Sequence, residues 1–113
     1  MVRIDAVIRP GKLDDVKEAL EDAGHRGISV MEIKGAGKQK GFTQHYRGTE
    51  YVVNLLPKVL VSLVASDDQW EHLAEVITAA AQTGEVGDGK IFVTPVMEAI
   101  RIRTGERGDT ALR

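Results

Sequence analysis

The chain has 113 residues, 42% of them hydrophobic, with 15 basic and 17 acidic side chains, a formal net charge of −2 and no cysteine. That length makes one domain, 1–113, burying roughly two-thirds of its unfolded surface, and the missing cysteine excludes disulfides, thiolate metal sites and thiol nucleophiles. Near-neutral charge and five aromatic residues argue against nucleic acid as a partner, and no apolar run approaches the roughly 18 residues that span a bilayer.

Val2, Ile4, Ala6 and Ile8 recur at period two and stop at Pro10-Gly11, the pattern of a half-buried strand. Because the alternation starts directly after Met1, no secretory leader is expected and the protein reads as cytoplasmic. Leu13, Val16, Ala19, Leu20 and Ala23 follow at helical spacing, with Asp14 and Asp15 in the first turn and Gly24 as a stop, predicting a helix over about 12–23. Ile28, Val30, Met31 and Ile33 form a β-branched run ending in Gly35, a second strand. Residues 58–65 alternate again, and Ser66-Asp67-Asp68 reads as a cap ahead of a helix carrying Trp70, Leu73, Ala74, Ile77 and Ala81. Two more short strands are expected at 90–94 and 99–103.

Strand, helix opening on Asp-Asp, strand thus occurs twice, at 2–34 and 58–94. The economical fold is an α+β, ferredoxin-like βαββαβ sandwich, a four-stranded antiparallel sheet with both helices on one face and a short end strand added. The other face must meet solvent or a partner, and Val7, Val61 and Leu63 suggest apolar residues on both faces, hence an oligomer. Residues 35–50, with four glycines, form a long loop between the second and third strands. Loops of that length usually serve function, and a hairpin extension is the plainer alternative.

Chemistry concentrates late in the chain. Gly84, Gly87 and Gly89 allow close backbone approach to an anion, with Lys90 at the rim, although the spacing is not that of a P-loop and a strand follows. Arg101 and Arg103 are one residue apart, so on a strand both would leave one face and suit a polyanion. A catalytic inventory is thin. His25, His45 and His72 are scattered, Ser29, Ser62 and Ser66 lack a nucleophile elbow, and the paired aspartates are explained by capping.

Tyr46-Arg47-Gly48-Thr49-Glu50-Tyr51 and residues 83–93 resemble the two signatures of the PII nitrogen-regulatory signalling proteins. The similarity runs through residues 12–16, Gln39-Lys40-Gly41, Leu56-Pro57-Lys58 and residues 101–106, leaving only the last few residues of the C-terminal tail, about 104–113, outside it. It implies a homotrimer with nucleotide sites in the clefts between subunits, where ATP and ADP compete and Mg-ATP is required for 2-oxoglutarate. By resemblance, Val7, Gly35 and Val64 border the adenine and Ser29 lies near its polar edge. Gly37, Lys38, Gly87, Gly89, Lys90, Arg101 and Arg103 meet the phosphates. Gln39 supplies an oxygen to Mg²⁺, Lys58 pairs with a 2-oxoglutarate carboxylate, and the backbone of Gln39, Lys40 and Gly41 completes that pocket.

The resemblance further implies a non-catalytic regulator whose loop, about 36–50, changes with ligand state and contacts an ammonium transporter or nitrogen-assimilation proteins. Through a transporter it would associate with a membrane without inserting. Tyr51 is then the site at which a nucleotidylyltransferase adds charge and bulk. The alternatives are an adenylate-responsive adaptor without 2-oxoglutarate sensing, and a slow ATP-hydrolysing enzyme. An RNA-binding module on this fold would need stacking aromatics that the first strand lacks. Lys38 stands where the family commonly has arginine, Ser29 where threonine is frequent, Ser62 where an acid is frequent and Gly11 where phenylalanine is frequent.

Overall fold

Alternation at the start of the chain becomes strand β1, Val2–Ile8, whose Ile4, Ala6 and Ile8 are buried while the residues between them face the other way. The computed structural model describes residues 1–36, 42–46, 49–53 and 55–113, with the stretches from 42 to 53 described by backbone alone. A 3-10 turn, Pro10–Lys12, leads into helix α1, Leu13–Asp22, which buries Val16 and Leu20 one turn apart. Its end is set by Gly24, at φ 86°. There the Gly24 N–H donates to Glu21 O (2.9 Å) and the His25 N–H to Leu20 O (2.8 Å), a Schellman closure that requires the left-handed residue.

Strand β2 is Ser29–Gly35, β3 Phe42–Tyr46, β4 Thr49–Val53 and β5 Leu56–Ala65; helix α2 is Trp70–Ala81 and strand β6 Lys90–Pro95. The expected cap of α2 works differently from its sequence reading. The N-cap position is Gln69, with no side-chain cap. The Ser66 hydroxyl instead donates to Asp68 (2.6 Å), while the Ser66 carbonyl accepts the N–H of Gln69 (3.1 Å) and Trp70 (3.2 Å). Asp67 pairs with the N-terminal ammonium at 2.7 Å, tying the helix start to β1.

The main sheet has the order β2-β5-β1-β6, every neighbouring pair antiparallel. This is the expected ferredoxin-like α+β sandwich. Ile4, Ala6 and Ile8 of β1 and Val59, Val61, Leu63 and Ala65 of β5 form one face, and they share a single core with Val16, Leu20, Leu73, Ile77 and Ala81 of the helices. Trp70 packs on its margin. Full burial of an aliphatic side chain of this kind contributes about 1.5–3 kcal/mol, so this layer dominates the fold's stability.

The helix-free face carries Val7, Leu60 and Val64, half-buried, and Phe92, 54% exposed. Apolar residues therefore do occupy both faces, with Val7 on the outer one and Val61 and Leu63 on the core. The strands flanking the long segment pair with each other through Gly35 opposite Leu56. Within it β3 and β4 pair from Phe42–Val53 to Tyr46–Thr49.

The strand expected at 99–103 does not form. Ile100 makes an isolated bridge to Arg107, and the chain then turns, with Gly105 at φ 73° and its N–H donating to Arg101 O at 2.7 Å. The Ile-Arg-Ile-Arg alternation has no neighbouring strand to pair with, and Ile102 is 98% exposed. Arg101 and Arg103 therefore do not share a strand face.

Candidate functional site

The glycine-bearing connection from α2 to β6 is held by contacts with distant parts of the chain. Its centre is Asp88. One carboxylate oxygen accepts the N–H groups of Thr83 (2.8 Å) and Gly84 (2.9 Å). The other accepts the Thr83 hydroxyl (2.5 Å) and the Arg9 Nε–H (2.9 Å). Arg9, at the end of β1, also donates from Nη2 to Val86 O at 2.9 Å, and Lys58 of β5 donates to Gly87 O at 2.6 Å. Hydrogen bonds from Thr83 and Arg9 hold the Asp88 carboxyl far below the ordinary carboxylate range. The Lys58 ammonium is shifted down, first by burial and then by the neighbouring Arg9 charge, with Asp88 opposing.

Gly84, Gly87 and Gly89 all have positive φ, 89°, 107° and 99°. At Gly89 the requirement is steric as well, since an added Cβ would lie 1.7 Å from the Val7 carbonyl oxygen. The loop thus lies directly on β1. Val7 pairs with Lys90 across β1 and β6, and Ser29, Ser62, Asp5 and Phe92 form the adjacent row on the same face. The Ser62 hydroxyl donates to Asp5 at 2.7 Å, so Asp5 supplies a carboxylate in that row. A cleft of about 310 Å³ opens between this loop, Val7 and the end of α2.

Val7, Lys58, Gly87, Gly89 and Lys90 are therefore brought together, with Ser29 and Val64 on the same sheet face and Gly35 at the end of β2. Arg101 and Arg103 are not. The Arg101 guanidinium donates to Glu106 (2.7 Å), to Thr110 O (3.2 Å) and to Arg113 O. Among the described residues, no hydrogen bond or ion pair joins either arginine to the glycine loop. The tail that Arg101 holds, a 3-10 turn at Gly108–Leu112, borders Val64 across a cavity of about 210 Å³. Gly37, Lys38, Gln39, Lys40 and Gly41 lie outside the described residues, and Tyr51 is described only as a backbone position in β4, paired with Gln44.

Arg9, Thr83 and Asp88 had not stood out as organisers of the site. The signal for Asp88 was its place between two glycines, but its ion-pair partner lies 79 residues away.

The model of the family described as "Nitrogen regulatory protein P-II" matches residues 1–106, which takes in β1 through the turn after Ile100 and the whole glycine loop. The chain belongs to the P-II family. It is 59% identical over 112 residues to the nitrogen regulatory protein P-II of Rhodospirillum rubrum and 57% identical to that of Azospirillum brasilense. Each alignment covers 99% of this chain and 100% of the relative. The P-II protein of Klebsiella oxytoca is 54% identical over the same length. P-II membership makes this chain a member of a family whose relatives are named nitrogen regulatory proteins. No helix among the described residues is long and apolar enough to cross a membrane.

Proposed function

We propose that the chain senses adenine nucleotide and 2-oxoglutarate and passes the state on to proteins of nitrogen assimilation or ammonium transport. The observation that carries this reading is the latched glycine loop, whose backbone, together with Lys90 opposite Val7, is suited to a phosphate chain. Val7, Gly35, Val64 and Ser29 take the adenine side, and Gly37, Lys38, Gly87, Gly89 and Lys90 the phosphates. Arg101 and Arg103 complete the site from a neighbouring copy in a homotrimer, which is why their separation from the loop within one chain is no obstacle. The helix-free face, with Phe92 and Met31 exposed, supplies apolar surface for that assembly.

Mg²⁺ accompanies ATP, with the Gln39 side-chain oxygen as its protein ligand. 2-Oxoglutarate binds through Lys58 and the backbone of Gln39, Lys40 and Gly41. Metal and triphosphate must be in place first, so each ligand raises the other's affinity. Gln39 falls in sequence between β2 and β3, which makes the β3–β4 pair the output surface. Tyr51 on β4 is the site of nucleotidylylation by a partner enzyme. The protein acts as a cytoplasmic regulator and reaches the membrane only through a transporter.

Calorimetric titration of 2-oxoglutarate into the protein alone, with Mg-ATP and with Mg-ADP, repeated for Gln39→Ala, tests this. Binding only with Mg-ATP, lost in the variant, is the expected result. Binding of ATP without any binding of 2-oxoglutarate leaves an adenylate-responsive adaptor, and failure to bind either nucleotide refutes the proposal.

A further inference from the structure

Two cations, Arg9 and Lys58, hold two successive carbonyls of the glycine loop, those of Val86 and Gly87. In a trans peptide the carbonyl and the following N–H point in opposite directions. Turning the Val86 and Gly87 carbonyls toward the cations therefore turns the N–H groups of Gly87 and Asp88 away from them. The Gly87 N–H has no acceptor among the described residues, whereas Asp88 closes a turn at residues 86–87. The orientation of the Val86–Gly87 peptide plane depends on Arg9, and Arg9 is itself held by the Asp88 carboxylate, which also closes the loop on Thr83 and Gly84.

A carboxylate in a loop meant for phosphate looks out of place, because its charge repels the ligand. Here both of its oxygens are taken up by donors of the loop and of β1, and its side chain is only 23% exposed. We propose that Asp88 and Arg9 are positioning residues of the nucleotide site: they touch no phosphate, and they turn the Gly87 peptide N–H group outward to receive one. This rests on the nucleotide reading above and adds the device by which an otherwise pliable glycine loop is preorganised. Gly87 and Gly89 permit the backbone conformation, and the Arg9–Asp88 pair selects it.

The two roles available to Asp88 differ in sign. A carboxylate acting only through its charge lowers affinity for a triphosphate, so removing it tightens binding. A carboxylate that sets the loop raises affinity, so removing it weakens binding. ATP titration of the full chain by calorimetry, for wild type, Asp88→Asn, Asp88→Ala and Arg9→Met, separates them, with ¹H–¹⁵N spectra of each nucleotide-free protein. Asp88→Ala is expected to raise the ATP Kd about tenfold or more. Asp88→Asn, which keeps one oxygen as acceptor for the loop N–H groups, falls between it and wild type.

Arg9→Met weakens binding as well, and combining it with Asp88→Ala adds little to the larger single effect, since both act through one contact. In the nucleotide-free spectra, the amide signals of residues 83–89 move in Asp88→Ala and partly return in Asp88→Asn, while those of α1 stay in place. Equal or tighter ATP binding by the Asp88 variants overturns the inference, as does weakened binding with unmoved loop amides. A wild type that binds no ATP overturns the nucleotide reading itself, whereas wild-type binding with indifferent variants overturns the positioning role alone.

Discussion

Replacing Gly89 with alanine tests how closely the glycine loop is seated on β1. The new methyl carbon would lie 1.7 Å from the Val7 carbonyl oxygen and 2.8 Å from its carbon, at a residue whose φ is 99°. Left-handed backbone costs a non-glycine residue about 1–2 kcal/mol by itself. The overlap is with backbone and cannot be relieved by a rotamer change. Either β1 or the loop must move, and β1 is held by strands on both sides. Moving the loop gives up the Arg9 and Lys58 bonds to it, at about 1 kcal/mol for each hydrogen bond lost. The total comes to about 4–5 kcal/mol, a large part of the roughly 5–15 kcal/mol that stabilises a typical domain. Gly84→Ala is the control, because Gly84 has φ 89° with nothing within 4 Å of the added carbon, leaving only the strain of about 1–2 kcal/mol. Urea unfolding at fixed protein concentration, followed by the fluorescence of Trp70, the single tryptophan, measures both. If Gly89→Ala destabilises no more than Gly84→Ala, the account of the loop's seating is wrong.

Two further predictions concern the core and pH. Ile77→Ala, at a position fully buried between α2 and the sheet, should cost about 2–5 kcal/mol in the same unfolding assay, and a loss under about 1 kcal/mol would show that the site collapses freely. The Asp88 carboxyl titrates below its ordinary value of 3.8 in the folded protein, so its stabilising contribution is complete above that value and is lost as pH falls toward the folded-state value. The urea midpoint of wild type should therefore exceed that of Asp88→Asn near neutrality, and the gap should narrow in acid. A gap that stays constant from about pH 6 to about pH 2 would show that Asp88 is not held as an anion.

Most of the fold was legible because its signals are local. The period-two runs at 2–8 and 58–65 and the helical spacing of Val16–Leu20 and Leu73–Ile77 report which side of each element meets the core, and they repeat within a few residues. Gly24 marked the end of α1 for an equally local reason, the Schellman closure. The glycine loop and Lys90 were legible as a candidate site segment from composition, and the structure brings them together with Val7 and Lys58. Misreadings arose where a local pattern had competing uses. The alternation at 100–103 has the period of a strand and no strand beside it, so its hydrogen bonds go to a turn closed by Glu106. Ser66-Asp67-Asp68 has the composition of a cap, yet Ser66 serves through its carbonyl and Asp67 holds the N-terminus.

By itself the sequence determined the order of the two helices and the four main-sheet strands, the faces they bury and the family, since each is written in periodicity or in contiguous motifs. Only the tertiary structure decided how the site is organised. Arg9 meets Asp88 across 79 residues, Lys58 meets Gly87 across 29, and Gly89 lies against Val7. No spacing rule encodes these contacts, because they exist only once the antiparallel order β2-β5-β1-β6 has brought the end of β1, the start of β5 and the start of β6 to one edge of the molecule.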